Sequence, residues 1–269
     1  MNTLIPLNDT TYSLVMNALN LSIALLGGFS LLFILLRRSV SAEYSISVSL
    51  MAAVTGMAAY HYFRLYNNWL AAYQLQGGQY LPTGLPFNYA YRYTDWLGTV
   101  PLLLSAILLV LDVGREKSAS LVTRMVVSAV LMIGLGYLGE VQHVDMLARA
   151  LWGAAATVPF LYIMYVLWHE VGRVLRFESG RVQRLFFTLR RMLLLSWLFY
   201  PLVFALPLFG LDRPGLLAVV QVGNSAADLL AKVGVGLLIY LIAREKTEED
   251  RVLRSSQPPL PVTAPLAAD

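Results

Sequence analysis

Cysteine is absent from the chain, which excludes disulfides, thiol nucleophiles and cysteine-based metal sites. Histidine is scarce: His61, His143 and His169 lie too far apart to form a metal-ligand motif. Charged residues make up 13% of the 269 positions, well below the roughly one quarter usual in soluble domains. Met1 to Tyr12 has no basic region leading into a short apolar core, so no cleavable signal peptide is expected. The net charge of +4 accompanies no nucleic-acid motif, so no nucleic-acid partner is expected and the distribution of the basic residues matters more than their sum.

Hydrophobic residues fill the space that charge leaves, at 58% with a mean hydropathy of +0.63. That composition describes a polytopic membrane protein with the lipid bilayer as its solvent. At about 20 apolar residues per span, the chain offers seven candidates, roughly 13–36, 44–66, 88–111, 121–141, 146–168, 189–209 and 215–243. The fold expected is an all-α seven-transmembrane-helix bundle. Most connections are short, which favours antiparallel neighbours. Arg37, Arg38, Arg115, Lys117, Arg124 and the basic runs Arg173 to Arg191 and Arg244 to Arg254 fall on one side; Arg64, Arg149 and Arg213 fall on the other. The positive-inside rule then puts the N-terminus outside and the C-terminus in the cytoplasm of a plasma-membrane protein. Between the second and third spans, Gly77-Gly78 separates two short polar-apolar runs and reads as a hairpin. Residues 1–246 form one membrane domain, and the charged, then Pro-rich stretch 247–269 is expected to be a disordered tail.

Inside the last span stands Asp228-Leu229-Leu230-Ala231-Lys232-Val233-Gly234. A lysine in hydrocarbon costs about 2.5 to 17 kcal/mol depending on the method, so it must face protein, pair, or be chemically converted. A spacing of four sets Asp228 and Lys232 one turn apart on one helix face. The third span repeats the theme: Arg92, Asp95 and Thr99 share one narrow stripe at about 100° per residue. Two acids and two bases therefore occupy the bundle interior. They are either structural ion pairs, as in a transporter, or a charge-handling site.

Arg92-Tyr93-Thr94-Asp95-Trp96 with Thr99 and Pro101, Trp197 with Tyr200-Pro201, and Asp228 with Lys232-Val233-Gly234 together resemble the microbial (type 1) rhodopsins. Within them the chain is similar to the proteorhodopsin and xanthorhodopsin group of light-driven proton pumps. Tyr137-Leu138-Gly139-Glu140 and His61-Tyr62 resemble the proteobacterial branch, and the likeness runs over nearly all seven spans. The resemblance implies a pump rather than an enzyme, with all-trans retinal bound to Lys232 as a protonated Schiff base. Asp95 and Asp228 would be counterions, and Asp95 also the primary proton acceptor. Thr99 would hydrogen-bond Asp95, and Arg92 would hold the acids negative and gate the outward path. Tyr62 and Tyr200 would bond Asp228. Tyr93, Trp96, Trp197, Tyr200, Pro201 and Phe204 would line the polyene, with Leu103, Met132, Gly136 and Phe160 completing the pocket. Leu103 resembles the green-absorbing members.

His61 follows from depth as well as from the family. If the second span ends near Tyr66, His61 lies about 8 Å below its outer end at 1.5 Å per residue, level with Asp95. A histidine–carboxylate hydrogen bond there would tune the acceptor; the alternative is a side chain turned to the outer headgroups.

The sequence departs from the pump pattern at Ala106, eleven residues after Asp95 and on the same stripe, where the family's pumps usually carry a carboxylic proton donor. Asp112 lies near the cytoplasmic mouth and reads as solvated surface. Either water reaches the site through the space Ala106 leaves, or reprotonation is slow and the protein is a sensory rhodopsin with a slow photocycle. Pumping is the favoured reading. A channel would need a polar stripe along several spans, and a chloride pump would have to omit the fixed charge of Asp95. Gly153 resembles the glycine that, in xanthorhodopsin-like proteins, opens a window for a carotenoid antenna; close packing of Gly153 and Thr157 is the alternative. The resemblance also implies a homo-oligomer, trimer or pentamer.

Overall fold

The structure is a computed structural model that describes residues 4–88, 90–111, 115–211 and 216–256. Seven long helices run back and forth: α1 (Asp9–Leu36), α2 (Ala42–Ala72), α3 (Ala90–Leu109), α4 (Arg115–Glu140), α5 (Met146–Phe177), α6 (Gly180–Phe209) and α7 (Leu217–Ser255). Among the described residues six are long and apolar enough to cross a membrane by composition alone. The seventh is α3, whose first half carries Arg92 and Asp95. Each helix packs on the next in sequence, and α7 closes the ring against α1 and α2.

Local chemistry sets the helix starts. Asn8, Asp145 and Ser179 accept the free backbone N–H three residues on, at 2.8, 2.8 and 3.3 Å, and so cap α1, α5 and α6. Large apolar side chains face outward, Leu35 at 66% and Leu195 at 72% exposure, as lipid contact requires. Inside, two apolar clusters divide the bundle. One, at the arginine-rich end, holds Phe33, Met51, Leu104, Ile107 and Ile239; the other, at the opposite end, holds Leu7, Tyr12, Leu65 and Trp69. Gly236 lets α7 touch α1: a Cβ there would stand 2.7 Å from the Phe33 ring.

The expected hairpin is present as β1 (Tyr73–Gln76) and β2 (Gln79–Pro82), antiparallel with Gln76 opposite Gln79. Gly77 and Gly78 take φ of 56° and 83°, the left-handed pair of a two-residue hairpin turn. Leu7 and Tyr80 exchange two backbone hydrogen bonds of 2.9 Å, and the Tyr12 and Tyr80 rings stack at 3.6 Å. The N-terminus thus fastens the hairpin over the bundle.

Three expectations need correction. The second helix ends at Ala72 rather than near Tyr66, because its last turns are buried by Trp69 and the hairpin. The long connection expected from His169 to Thr188 shrinks to Glu178-Ser179, since the basic residues there continue α5 and α6. The stretch expected to lose order from Thr247 is helical to Ser255, with Thr247 buried and donating to the Ala243 carbonyl at 2.7 Å. Asp112, Arg213 and the tail beyond Ser256 lie outside the described residues.

Trp69 joins helix, hairpin and N-terminus, with ring centroids 5.7 Å from Tyr12, 4.8 Å from Tyr73 and 5.6 Å from Phe87. Trp69→Ala is expected to lower stability by about 3–5 kcal/mol, read as an earlier thermal transition in detergent. Leu75→Ala, at an exposed position of the same hairpin, should change it by less than about 0.5 kcal/mol.

Candidate functional site

Between the two apolar clusters α3 and α7 bring four charges together. Arg92, Asp95, Asp228 and Lys232 are each buried to 3% exposure or less, a placement tolerated only when charges balance and pair. The backbone of α7 widens into one π-type turn at Leu230–Gly234, so Lys232 projects from an irregular turn of the kind that recurs at functional sites. Its ammonium pairs with Asp95 Oδ2 and lies 3.2 Å from Asp228 Oδ1.

The two acids are held differently. Asp228 accepts from Tyr62 at 2.8 Å, from Tyr200 at 2.7 Å and from the Trp96 indole at 3.2 Å, and Arg92 stands 3.7 Å away. Asp95 pairs with Lys232 alone, and its Oδ1 is buried without a partner. Thr99, expected to hydrogen-bond Asp95, does so through the Asp95 backbone carbonyl at 2.8 Å, the common i−4 habit of a helical threonine. The expected His61–Asp95 hydrogen bond is likewise not formed. His61 Nδ1 and Asp95 Oδ1 are both buried and unpaired, because the carboxylate turns to the ammonium.

Two participants escaped the sequence reading. Gln221 accepts from Arg92 at 2.7 Å and is fully buried; it lies seven residues before Asp228, two helical turns back on the same face, which was the available signal. Arg149, assigned only to the outer side, is buried as well. It pairs with Glu140 at 2.8 Å, donates twice to the Phe204 carbonyl at 3.2 and 3.0 Å, and covers the Phe204 ring at 4.4 Å.

A cavity of about 640 Å³ opens beside Lys232, within the roughly 300–1,000 Å³ of small-molecule sites. Trp96 lies against Tyr200 at 4.7 Å and Tyr93 at 5.2 Å, forming one wall. Trp197, Pro201 and Phe204 of α6 line the cavity too, with Leu103, Met132, Gly136 and Phe160. The cavity is largely apolar, rich in aromatic side chains and lined by the Lys232 amine, and so fits a polyene aldehyde joined to Lys232. Gly153 borders the cavity, but its free space is used: a Cβ there would meet the Phe204 ring at 2.6 Å, and one at Gly139 would meet it at 2.7 Å. Ala106 is fully buried, in the apolar cluster that also holds Leu104, Ile107 and Leu108.

The bacteriorhodopsin-like protein family model matches residues 11–246. The chain is 28% identical over 214 residues to the green-light absorbing proteorhodopsin of Gamma-proteobacterium EBAC31A08, covering 78% of this chain and 79% of that protein. Its structure is similar to that of xanthorhodopsin, described as a light-driven ion pump with dual chromophore, at a TM-score of 0.89 and 42% identity, covering 93% of this chain and 99% of that one. A thermophilic rhodopsin is similar at 0.89 and 43%, covering 92% and 99%.

Gln221→Leu removes the acceptor for a buried guanidinium and should cost about 1–3 kcal/mol. The check is the thermal transition in detergent, which an expendable glutamine would leave unchanged.

Proposed function

The chain belongs to the bacteriorhodopsin-like family of seven-helix retinal proteins, and from that premise we propose that it is an outward light-driven proton pump that lacks a carboxylic donor on its cytoplasmic side. The observation that carries the reading is the unequal hold on the two acids around Lys232. Retinal joined to Lys232 supplies light-driven isomerisation and a proton on the lysine nitrogen. Protonating Asp95 gives up one ion pair and uses an oxygen that has no partner, whereas protonating Asp228 would disturb three hydrogen bonds and two ion pairs. Asp95 is therefore the acceptor, and Asp228 the permanent anion fixed by Tyr62, Tyr200 and Trp96. Arg92, held by Tyr62 and Gln221 at 3.1 and 2.7 Å, separates this pair from the outer side. His61, with a buried free nitrogen, is the group to receive the unused Asp95 oxygen once the carboxyl leaves the amine. Ala106 and its aliphatic neighbours offer no proton, so the return proton comes from the cytoplasmic medium when that half opens.

The packed cytoplasmic half also favours the second reading, a sensory rhodopsin with a slow photocycle, because a dry path prolongs the deprotonated state. A carotenoid antenna at Gly153 would have to take the place that Phe204 fills. Self-association as a trimer or pentamer completes the reading.

Illuminated vesicles or cells in unbuffered medium should acidify the outside, and an uncoupler should abolish the signal. Asp95→Asn should abolish it while colour remains, and Lys232→Ala should leave the protein colourless with added retinal. Negligible transport with a long-lived state would favour the sensor. Dark recovery should slow about tenfold per unit rise in cytoplasmic pH, as expected when the medium is the acid, and azide should speed it. A pH-independent recovery would instead reveal an internal donor.

A further inference from the structure

At the arginine-rich end, α5 and α6 enclose a cleft lined by Gly172, Leu175, Arg176, Gly180, Gln183, Arg184, Phe187 and Arg190, with no acid among them. Its architecture starts from a π-type turn in α5, Val166–Glu170, which disturbs the regular backbone ladder. Arg190 reaches across from α6 and donates to the Leu167 and Trp168 carbonyls at 3.2 and 3.4 Å through Nη1. That fixes one edge of its guanidinium, while Nε is buried without a partner. The arginines lie close to the two glycines: a Cβ on Gly172 would be in ordinary contact with Arg190 Nη1 at 3.5 Å, and one on Gly180 with Arg184 Nη1 at 3.7 Å.

The neighbouring carboxylates are already engaged. Glu170 pairs with Arg124 at 3.1 Å, Glu178 with Lys246 at 2.6 Å and Glu245 with Arg181 at 3.2 Å. Among the described residues Arg176, Arg184 and Arg190 have no carboxylate partner. Below them, Phe187, Leu195, Leu198 and Leu202 are exposed apolar residues along α6, spaced at eight, three and four residues so that they fall on one side of the helix. Guanidinium forks above a lipid-facing strip match a phosphate above acyl chains.

We propose that this cleft binds a phosphate group, with an anionic phospholipid headgroup as the source that the apolar strip favours and free phosphate as the other. The site is independent of the pump reading.

The test uses the full-length pigment in detergent, titrated with phosphatidylglycerol or with phosphatidylcholine of the same chains and read by native mass spectrometry. Radiolabelled inorganic phosphate is measured in parallel by equilibrium dialysis. Phosphatidylglycerol should bind about tenfold more tightly than phosphatidylcholine. Arg176→Gln with Arg184→Gln should abolish that preference while the visible spectrum is unchanged. Arg37→Gln with Arg38→Gln, which removes equal charge at the same end, should retain it. Phosphate binding that the first pair abolishes would assign the cleft to free phosphate instead. Binding of neither anion, or equal loss in both double variants, would overturn the proposal in favour of diffuse attraction.

Discussion

One ammonium shared between two carboxylates is the interaction on which the rest of the structure depends. Lys232 draws Asp95 from α3 and Asp228 from its own helix to a single point in the bundle. With Arg92 beside Asp228, the formal charges cancel. Each ion alone would carry a desolvation cost of several kcal/mol, and removing any one leaves a partner buried and uncompensated. The surrounding hydrogen bonds do the remaining work: Tyr62, Tyr200, Trp96 and Gln221 satisfy oxygens and nitrogens that water would otherwise reach. The π-type turn that carries Lys232 and the close approach at Gly236 are the backbone adjustments that admit this arrangement.

In the proposed pump, direction comes from the asymmetry around that ammonium. A symmetric pair of acids would accept a proton equally and move it nowhere. Asp228 accepts from three donors, while Asp95 keeps one buried oxygen without a partner, as His61 keeps one buried nitrogen. The other half of the bundle has the opposite character. Ala106, Leu104 and Ile107 are fully buried and carry no acid, so in the proposed cycle the export half is built from fixed groups and the uptake half depends on motion. The proposed pump and the sensory reading differ in how quickly that half admits a proton.

Much of this was legible because hydrocarbon makes every charge conspicuous. Asp228 and Lys232 at i and i+4, and the Arg92-Asp95-Thr99 stripe, are informative in a sequence with so few charged residues. The seven spans followed from length and hydropathy, and the hairpin from two glycines. Helix ends were less legible because α2, α5 and α7 continue past the hydrocarbon, where hydropathy carries no signal. Gln221 was missed because an uncharged amide does not stand out, and Arg149 because a basic residue near an outer loop looks solvated until Glu140 and Phe204 are seen around it. The Thr99–Asp95 bond was legible as a pairing, but spacing gives the face and not whether a hydroxyl meets side chain or backbone, and here it meets the backbone carbonyl.

The most direct measurement of the central claim is light-minus-dark infrared difference spectroscopy on the pigment and on Asp95→Asn and Asp228→Asn. A protonated carboxyl band should grow on illumination, vanish in Asp95→Asn and persist in Asp228→Asn. A band that survives in Asp95→Asn would show that another group receives the proton and would contradict the account.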